Sequence, residues 1–446
     1  MDRNALLEQA KEVLAKNDTG VFTKPAPNLY PHQWNWDAGF IALGYAQYAP
    51  ELAKRDLNHL FSAQWPNGMV PQIVFGQEEN ARYFPGPDFW QTPRFAGKPH
   101  SSGITMPPVH GFVLWQLLQN DPKARTDKAF YEEKYHQILA SHRYLYKHRD
   151  PQKEGLAYVR HPWEPGTDNS PTWDPVLEAM DTQKLTIPPY TRKDLQNPEA
   201  AKHRPTDQDY DRYVYLVDLF RRHQYNDEAI QEECPFQIQD PLFNAILTWS
   251  NECMAEVGRW LGQDIGVFLD WKEATSGACN SKLWSEEEER YLAYDLYGER
   301  LLPCRTSSAF MPLLAGIPSF KQAIRMLKQL QGPGFSGTPE NPAYKYPTYD
   351  LRSPDVDFEK YWRGPIWINM NWLLWQGLLR YGFTDEATAV RRDSLTLLEE
   401  KGIYEYFDPR KGQEATTGYG TDQFSWSAAL AASWLVQDQA KNTAGS

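Results

Sequence analysis

Apolar residues recur at three- and four-residue spacing along most of the chain. The pattern predicts helices over 4–16, 38–47, 51–64, 108–119, 127–148, 211–223, 240–261, 285–296, 306–315, 319–330, 366–381, 385–400 and 424–436. Within 211–220, Tyr213, Leu216, Val217 and Phe220 fall on one helical face. Within 244–260, Ala245, Ile246, Trp249, Cys253, Val257 and Trp260 do the same. Alternating segments are scarce, and only 156–160 and 402–407 read as short strands. Pro and Gly clusters at 65–71, 84–87, 161–175, 332–348 and 408–420 separate the helices. Many helices with little strand predict an all-α chain of paired helices wound into a toroid. A bundle or solenoid is the alternative, and no strict repeat of about 20–50 residues supports a solenoid. The 446 residues allow one to three domains. A toroid accommodates them as one domain over 1–446, with 175–210 as an excursion. Its polar, Pro-containing part, 181–210, is expected to be a lid or cap; a linker is the other reading.

Charge narrows the partners. A formal net charge of -12 does not steer a protein towards phosphate backbones or anionic lipid, so neither nucleic acid nor membrane is expected. No run of 18 apolar residues predicts a membrane span. Residues Met1 to Glu8 lack the basic and then apolar pattern of a secretory signal, so a cytoplasmic location is expected. Cys234, Cys253, Cys279 and Cys304 form no CxxC pair and read as buried thiols rather than as a zinc or redox site. The sequence is compatible with self-association and specifies no symmetry.

The aromatic content points to a ligand class. Many of the 17 Trp stand beside polar residues, Gly or Pro instead of on apolar helix faces. A sugar offers a flat C–H face for an aromatic ring and a rim of hydroxyls for Asp, Asn, Gln and Arg. The densest such cluster is His161-Pro162-Trp163-Glu164-Pro165-Gly166-Thr167-Asp168-Asn169-Ser170-Pro171-Thr172-Trp173-Asp174. It holds three carboxylates beside two Trp. An apolar wall raises a carboxyl pKa, which suits a general acid; a turn stabilised by Asp and Asn is the plainer reading. A second cluster runs Tyr404-Glu405-Tyr406-Phe407-Asp408-Pro409 and resumes at Gly418-Tyr419-Gly420-Thr421-Asp422-Gln423-Phe424-Ser425-Trp426. There Glu405 is a candidate to activate water, with Glu414 competing. Three more clusters are YPHQWNWD at 30–37, QWPNGMVP at 64–71 and YWRGPIW at 361–367. GxxxxGK[ST], HExxH and GxSxG motifs are missing, so nucleotide-phosphate, zinc-protease and serine-elbow chemistries lack support.

These motifs, together with SGIT-PP at 102–108 and QFSW at 423–426, resemble glycoside hydrolase family 63, and within it the bacterial glucosylglycerate and mannosylglycerate hydrolases. The resemblance runs from Tyr30 to Trp426. It implies an (α/α)6 barrel with loops forming a pocket on one face, and an inverting mechanism without cofactor or metal. It makes Asp168 the general acid and Glu405 the general base. Inverting enzymes hold these groups roughly 6.5–9.5 Å apart to admit a water. It places Tyr30, Trp34, Trp36 and Asp37 around the sugar, with Trp163, Trp367 and Gln423 closing the subsite and Tyr361 and Trp362 nearby. Gln64, Trp65, Asn67 and Tyr83 are further candidates for substrate contact. Arg204 and Tyr210 are expected at the substrate carboxylate, since a guanidinium matches a carboxylate with two parallel hydrogen bonds. There is one departure. Members of the group carry Gln where this chain has Met106, which cannot donate a hydrogen bond.

The leading expectation is hydrolysis of 2-O-α-glucosylglycerate or mannosylglycerate to the sugar and glycerate. The alternatives are an α-glucosidase for a neutral glycoside such as trehalose or glucosylglycerol, and a non-catalytic sugar-binding protein.

Overall fold

The computed structural model describes the chain except residues 1–2, 28, 77–82, 93–98, 196–200, 413–417 and 445–446, and the side chains from 438 onward. The longer helices are α1 (Arg3–Asn17), α2 (Asn35–Tyr45), α3 (Pro50–Ser62), α4 (His110–Asn120), α5 (Lys128–His148), α6 (Asp207–Arg222), α7 (Pro241–Leu261), α8 (Gly266–Ala278), α9 (Phe320–Gln331), α10 (Ile368–Arg380), α11 (Thr384–Lys401) and α12 (Ser425–Ala444). A 3₁₀ helix spans Ser307–Ala315.

Six of these elements close a ring. α2 packs on α4, α4 on α7, α7 on the 3₁₀ helix, that helix on α10, α10 on α12, and α12 back on α2. Every residue of α2 and of the 3₁₀ helix is buried, as expected of elements surrounded on all sides. The outer helices are one-sided. α1 buries Leu6, Leu7, Ala10, Val13 and Leu14, and α9 buries Ala323, Met326 and Leu330, each a single stripe. With α1, α3, α5, α8, α9 and α11 outside, the architecture is the (α/α)6 barrel.

The ring closes tightly because small residues sit at its crossings. A Cβ on Gly44 of α2 would lie 2.6 Å from the Ala429 backbone of α12. One on Gly111 of α4 would lie 2.5 Å from the Ser250 carbonyl oxygen of α7. Such contacts leave no room for a side chain.

Strands are short among the described residues, and two antiparallel strand pairs serve the loop face, the first of them closed across α2 and α3. Gln33–Trp34 pairs with Ile73–Val74, and Tyr404–Tyr406 pairs with Tyr419–Asp422. The latter lies within the strand expected at 402–407; the one expected at 156–160 is a single bridge from Val159 to Ile238. The helix expected over 285–296 is absent. Trp284–Ser285 pairs with Arg290–Tyr291, and Ala293–Asp295 with Arg300–Leu302. The acidic residues 286–289 form the hairpin tip, where Glu289 takes a φ of 52°. Conversely, α8 went unread because it buries only Phe268 and Thr275, too thin a stripe to register as a period.

The ring geometry makes a stability prediction. Gly44→Val and Gly111→Val should each lower stability by about 1–3 kcal/mol or more, because the backbone opposite must move. Gly277→Ala, in α8 with nothing within 4 Å, should be neutral or raise it by about 0.4–1 kcal/mol. Urea unfolding of the three variants checks both statements.

Candidate active site

A cavity opens on the loop face, with an empty volume of ≈ 990 Å³ counting its solvent-open mouth. Several chain segments wall it. The first strand pair and the start of α2 bring Tyr30, Trp34, Trp36 and Asp37. The 161–174 loop brings Trp163 and Asp168, and the excursion brings Lys193, Asp194, Arg204 and Tyr210. Tyr361 and Trp362 come from the loop before α10. Glu405, Phe424 and Trp426 come from the 404–422 hairpin and the start of α12. Tyr83 completes the expected set that the fold brings together.

The 161–174 loop shows how the fold sorts carboxylates. Glu164 is fully buried and receives two hydrogen bonds from Arg149, at 2.8 and 2.7 Å, plus the backbone N–H groups of Thr105 and Arg160. Asp174 is held by Arg363 at 2.8 and 2.5 Å. Both carboxylates are committed to holding the structure. The rest of the loop is pinned as well. His161 donates from Nε2 to the Tyr213 carbonyl (3.1 Å) and accepts the Trp163 N–H at Nδ1, which fixes its neutral tautomer. Trp173 donates to the Thr167 carbonyl, Tyr213 to the Asp168 carbonyl, and the Asn169 amide to the Tyr361 carbonyl. The Asp168 carboxyl is left facing the cavity. Burial pushes its pKa up to about 7; Arg204 draws it down and Glu405 opposes that pull.

Glu405 sits in the middle of its strand and is buried. Its Oε1 accepts from the hydroxyls of Tyr30 (2.7 Å) and Tyr361 (2.9 Å). Arg204 donates to Tyr30 Oη at 3.1 Å and lies 4.6 Å above the Tyr361 ring. Burial raises the Glu405 pKa, while Arg204 and then the two hydroxyls favour its ionised form. Among the described residues Oε2 has no hydrogen-bond partner at ordinary geometry, although the Thr421 backbone N–H also favours the ionised form. Oε2 rests against Gly420, where a Cβ would come within 2.2 Å. Asp37, in the first turn of α2, is pushed well above the usual carboxylate range by burial and by Glu405. The two candidate catalytic carboxyls thus face one cavity, both raised by burial and drawn down by Arg204, and they differ in the two phenol hydroxyls that hold Glu405.

The aromatic wall is built in layers. Trp362 adopts a φ of 61°, a strained backbone for a bulky residue, and stacks on Trp367 with centroids 3.8 Å apart and planes at 5°. Trp367 in turn stacks on Tyr406 at 4.8 Å. Trp367 therefore backs the wall and does not line the cavity.

Four other expected contacts also fall outside the lining. The Gln64 amide donates to the carbonyls of Gly68 and Gln137, and the Trp65 indole donates to Ser101. Asn67 accepts the Met69 N–H in the same turn. These three shape the QWPNGMVP turn, whose neighbour Gln72 lines the cavity with its Oε1 unpartnered. The Gln423 side chain donates to Asp422 and its carbonyl accepts from Asn17, which ties α12 to α1. Glu414, the competing base, lies outside the described residues. Sequence reasoning missed Gln72, Phe84, Lys193 and Asp194 as wall residues. The polar composition of 181–210 was the available signal for the last two.

The Arg149–Glu164 pair generates a prediction. Arg149→Met strands a buried carboxylate and should cost about 3–5 kcal/mol in urea unfolding. A cost below about 1 kcal/mol would show that the loop is held by other means.

The chain matches the family model described as the mannosylglycerate hydrolase MGH1-like glycoside hydrolase domain, over residues 30–427. It is 44% identical to a mannosylglycerate hydrolase of Rubrobacter radiotolerans, with 95% of each chain covered. It is 34% identical to a glucosylglycerate hydrolase of Mycolicibacterium hassiacum, over 96% of this chain and 97% of that one. The crystal structure of a family 63 mannosylglycerate hydrolase from Thermus thermophilus, in complex with Tris and D-glycerate, superposes with a TM-score of 0.87 at 40% identity. That match covers 96% of this chain and 99% of the Thermus chain. With this barrel and this pocket, the chain belongs to the MGH1-like glycoside hydrolases of family 63 and is itself a glycoside hydrolase.

Proposed function

We propose that the chain hydrolyses a small α-linked glycoside of glycerate, 2-O-α-mannosylglycerate or 2-O-α-glucosylglycerate, with inversion and in the cytoplasm. The observation that carries this reading is the unequal setting of two carboxyl groups facing one aromatic pocket. Asp168, with a pKa of about 7, keeps a proton near neutral pH and delivers it to the glycosidic oxygen as the bond to the anomeric carbon breaks. Glu405, supported in its ionised form by Arg204, Tyr30 and Tyr361, takes a proton from a water that attacks the opposite face. The products are the β-sugar and glycerate, and solvent restores both protonation states. These proton transfers call for no metal. Trp34 and Trp36 offer faces to the sugar, and Asp37 offers a carboxyl to its hydroxyls.

The glycerate assignment draws on the substrates named for the similar enzymes, on the D-glycerate held by the Thermus structure, and on Arg204 beside Asp168 and Glu405. We assign residues 1–446 to one catalytic domain, with 175–210 as its cap. A second reading, a neutral glycoside, is favoured by one feature. Met106, where the resemblance implies Gln, lines the cavity and offers no donor to a leaving group. Sugar release from glucosylglycerate, mannosylglycerate, glucosylglycerol and trehalose decides between them: preference for the two glycerates supports the first reading, and preference for the neutral pair replaces it.

Asp168→Asn and Glu405→Gln should each lower kcat on the natural glycoside by about 10²–10⁴-fold. A glycosyl fluoride needs no protonated leaving group, so Asp168→Asn should retain turnover of it and Glu405→Gln should not. NMR of the first-formed sugar should show the β-anomer; an α-anomer contradicts inversion.

The pH dependence follows from the same groups. kcat/KM should fall as pH rises through about 7, where Asp168 loses its proton. It should fall on the acid side as Glu405 is protonated, above the usual glutamate range. Stability has the matching sign. A carboxyl whose folded pKa is raised favours the fold at low pH, and that contribution is lost as pH rises towards 7. Asp168→Asn should therefore melt a few degrees above the parent at pH 8.

A further inference from the structure

The charges around the cavity do not cancel evenly. Glu405 is matched by Arg204, which is also engaged with Tyr30 and the Tyr361 ring. Burial disfavours the charged forms of Asp37 and Asp168. Asp194 is neutralised by Arg192, which grips it at 3.1 and 2.6 Å. The remaining charged wall residue is Lys193, half-buried, with no carboxylate partner among the described residues.

Its location is fixed by its neighbours. The Arg192 side chain is 7% exposed and joins the two limbs of the 175–210 segment. It donates to Asp194 on one limb, and on the other to the Pro205 carbonyl and to Asp207, both at 2.9 Å. It also lies 4.4 Å above the Tyr210 ring. Tyr190 stacks on that ring and on Phe84, and donates to Asp211. The turn carrying Lys193 is thus clamped to the start of α6.

The two cations differ in how free they are. Drawing Arg204 towards a substrate carboxylate weakens its hold on Tyr30 and Glu405, and so disturbs the base. Lys193 carries no such obligation, and a flexible stem lets its ammonium reach an anion. We propose that Lys193, beside Arg204, supplies most of the selection for an anionic over a neutral leaving group, with the Arg192–Asp194 clasp as its positioning device. This rests on the glycosylglycerate reading above.

The test is the ratio of kcat/KM for a 2-O-α-glycosylglycerate to that for the corresponding glycosylglycerol, in wild type, Lys193→Gln, Lys193→Arg and Arg192→Gln. Lys193→Gln should lower the ratio by about 10–100-fold, through KM for the anionic substrate, as expected for the loss of one charge-assisted hydrogen bond. Lys193→Arg should restore most of it. Arg192→Gln should lower the ratio with Lys193 still present, and the wild-type ratio should fall with added salt. A wild-type preference for the anion that survives Lys193→Gln overturns this assignment alone. A wild type without that preference overturns both this assignment and the substrate reading.

Discussion

Glu164 and Arg149 meet through two short hydrogen bonds at a place that water does not reach. Neither charge is tolerable there alone, so the pair obliges the end of α5 and the 161–174 loop to stay together. The remaining lone pairs of Glu164 are filled by backbone N–H groups from Arg160, at the head of the same loop, and from Thr105, which adds one more segment to the junction. A loop rich in Pro and Gly would otherwise sample many conformations. Anchored in this way, it presents Asp168 at one place on the cavity wall. The placing of the proposed acid thus depends on an ion pair that lies outside the cavity lining.

Glu405, the proposed base, is held on a different principle. It stands on a two-stranded hairpin, and its charge is supported by phenols and a guanidinium that all belong to the cavity wall. One oxygen accepts two hydroxyls and the other has no hydrogen-bond partner among the described residues. Burial raises the pKa of both carboxyls and Arg204 lowers both, but the pair of phenol hydroxyls belongs to Glu405 alone. Two carboxyls of ordinary chemistry are thereby given different surroundings, which is the basis of the proton-donor and proton-acceptor roles proposed for them. The strained backbone of Trp362 and the Trp367–Tyr406 stack behind it hold the aromatic wall between them.

Much of this was legible in the chain. The 3.6-residue period located each of the longer helices except α8, at least in part, because a helix with a full apolar stripe announces itself. It failed at 285–296, where apolar residues on short paired strands imitate a helical spacing, and at α8, whose stripe is two residues wide. The aromatic-polar clusters found most of the cavity wall. They also brought in Gln64, Trp65 and Asn67, because a cluster that braces a turn has the same composition as one that touches a ligand.

The helical character, the motif set and the two segments that bring Asp168 and Glu405 to the cavity could be read from the chain alone. The sequence did not distinguish Glu164, Asp168 and Asp174, three carboxylates in one loop with similar neighbours. That was decided by Arg149, 15 residues before Glu164, and by Arg363, 189 residues after Asp174. The same holds for Lys193, which reads as a solvated lysine until the clasp of Arg192 brings its turn to the cavity. An ionisable side chain acquires its role from the charges and donors around it, and only the folded chain brings those together.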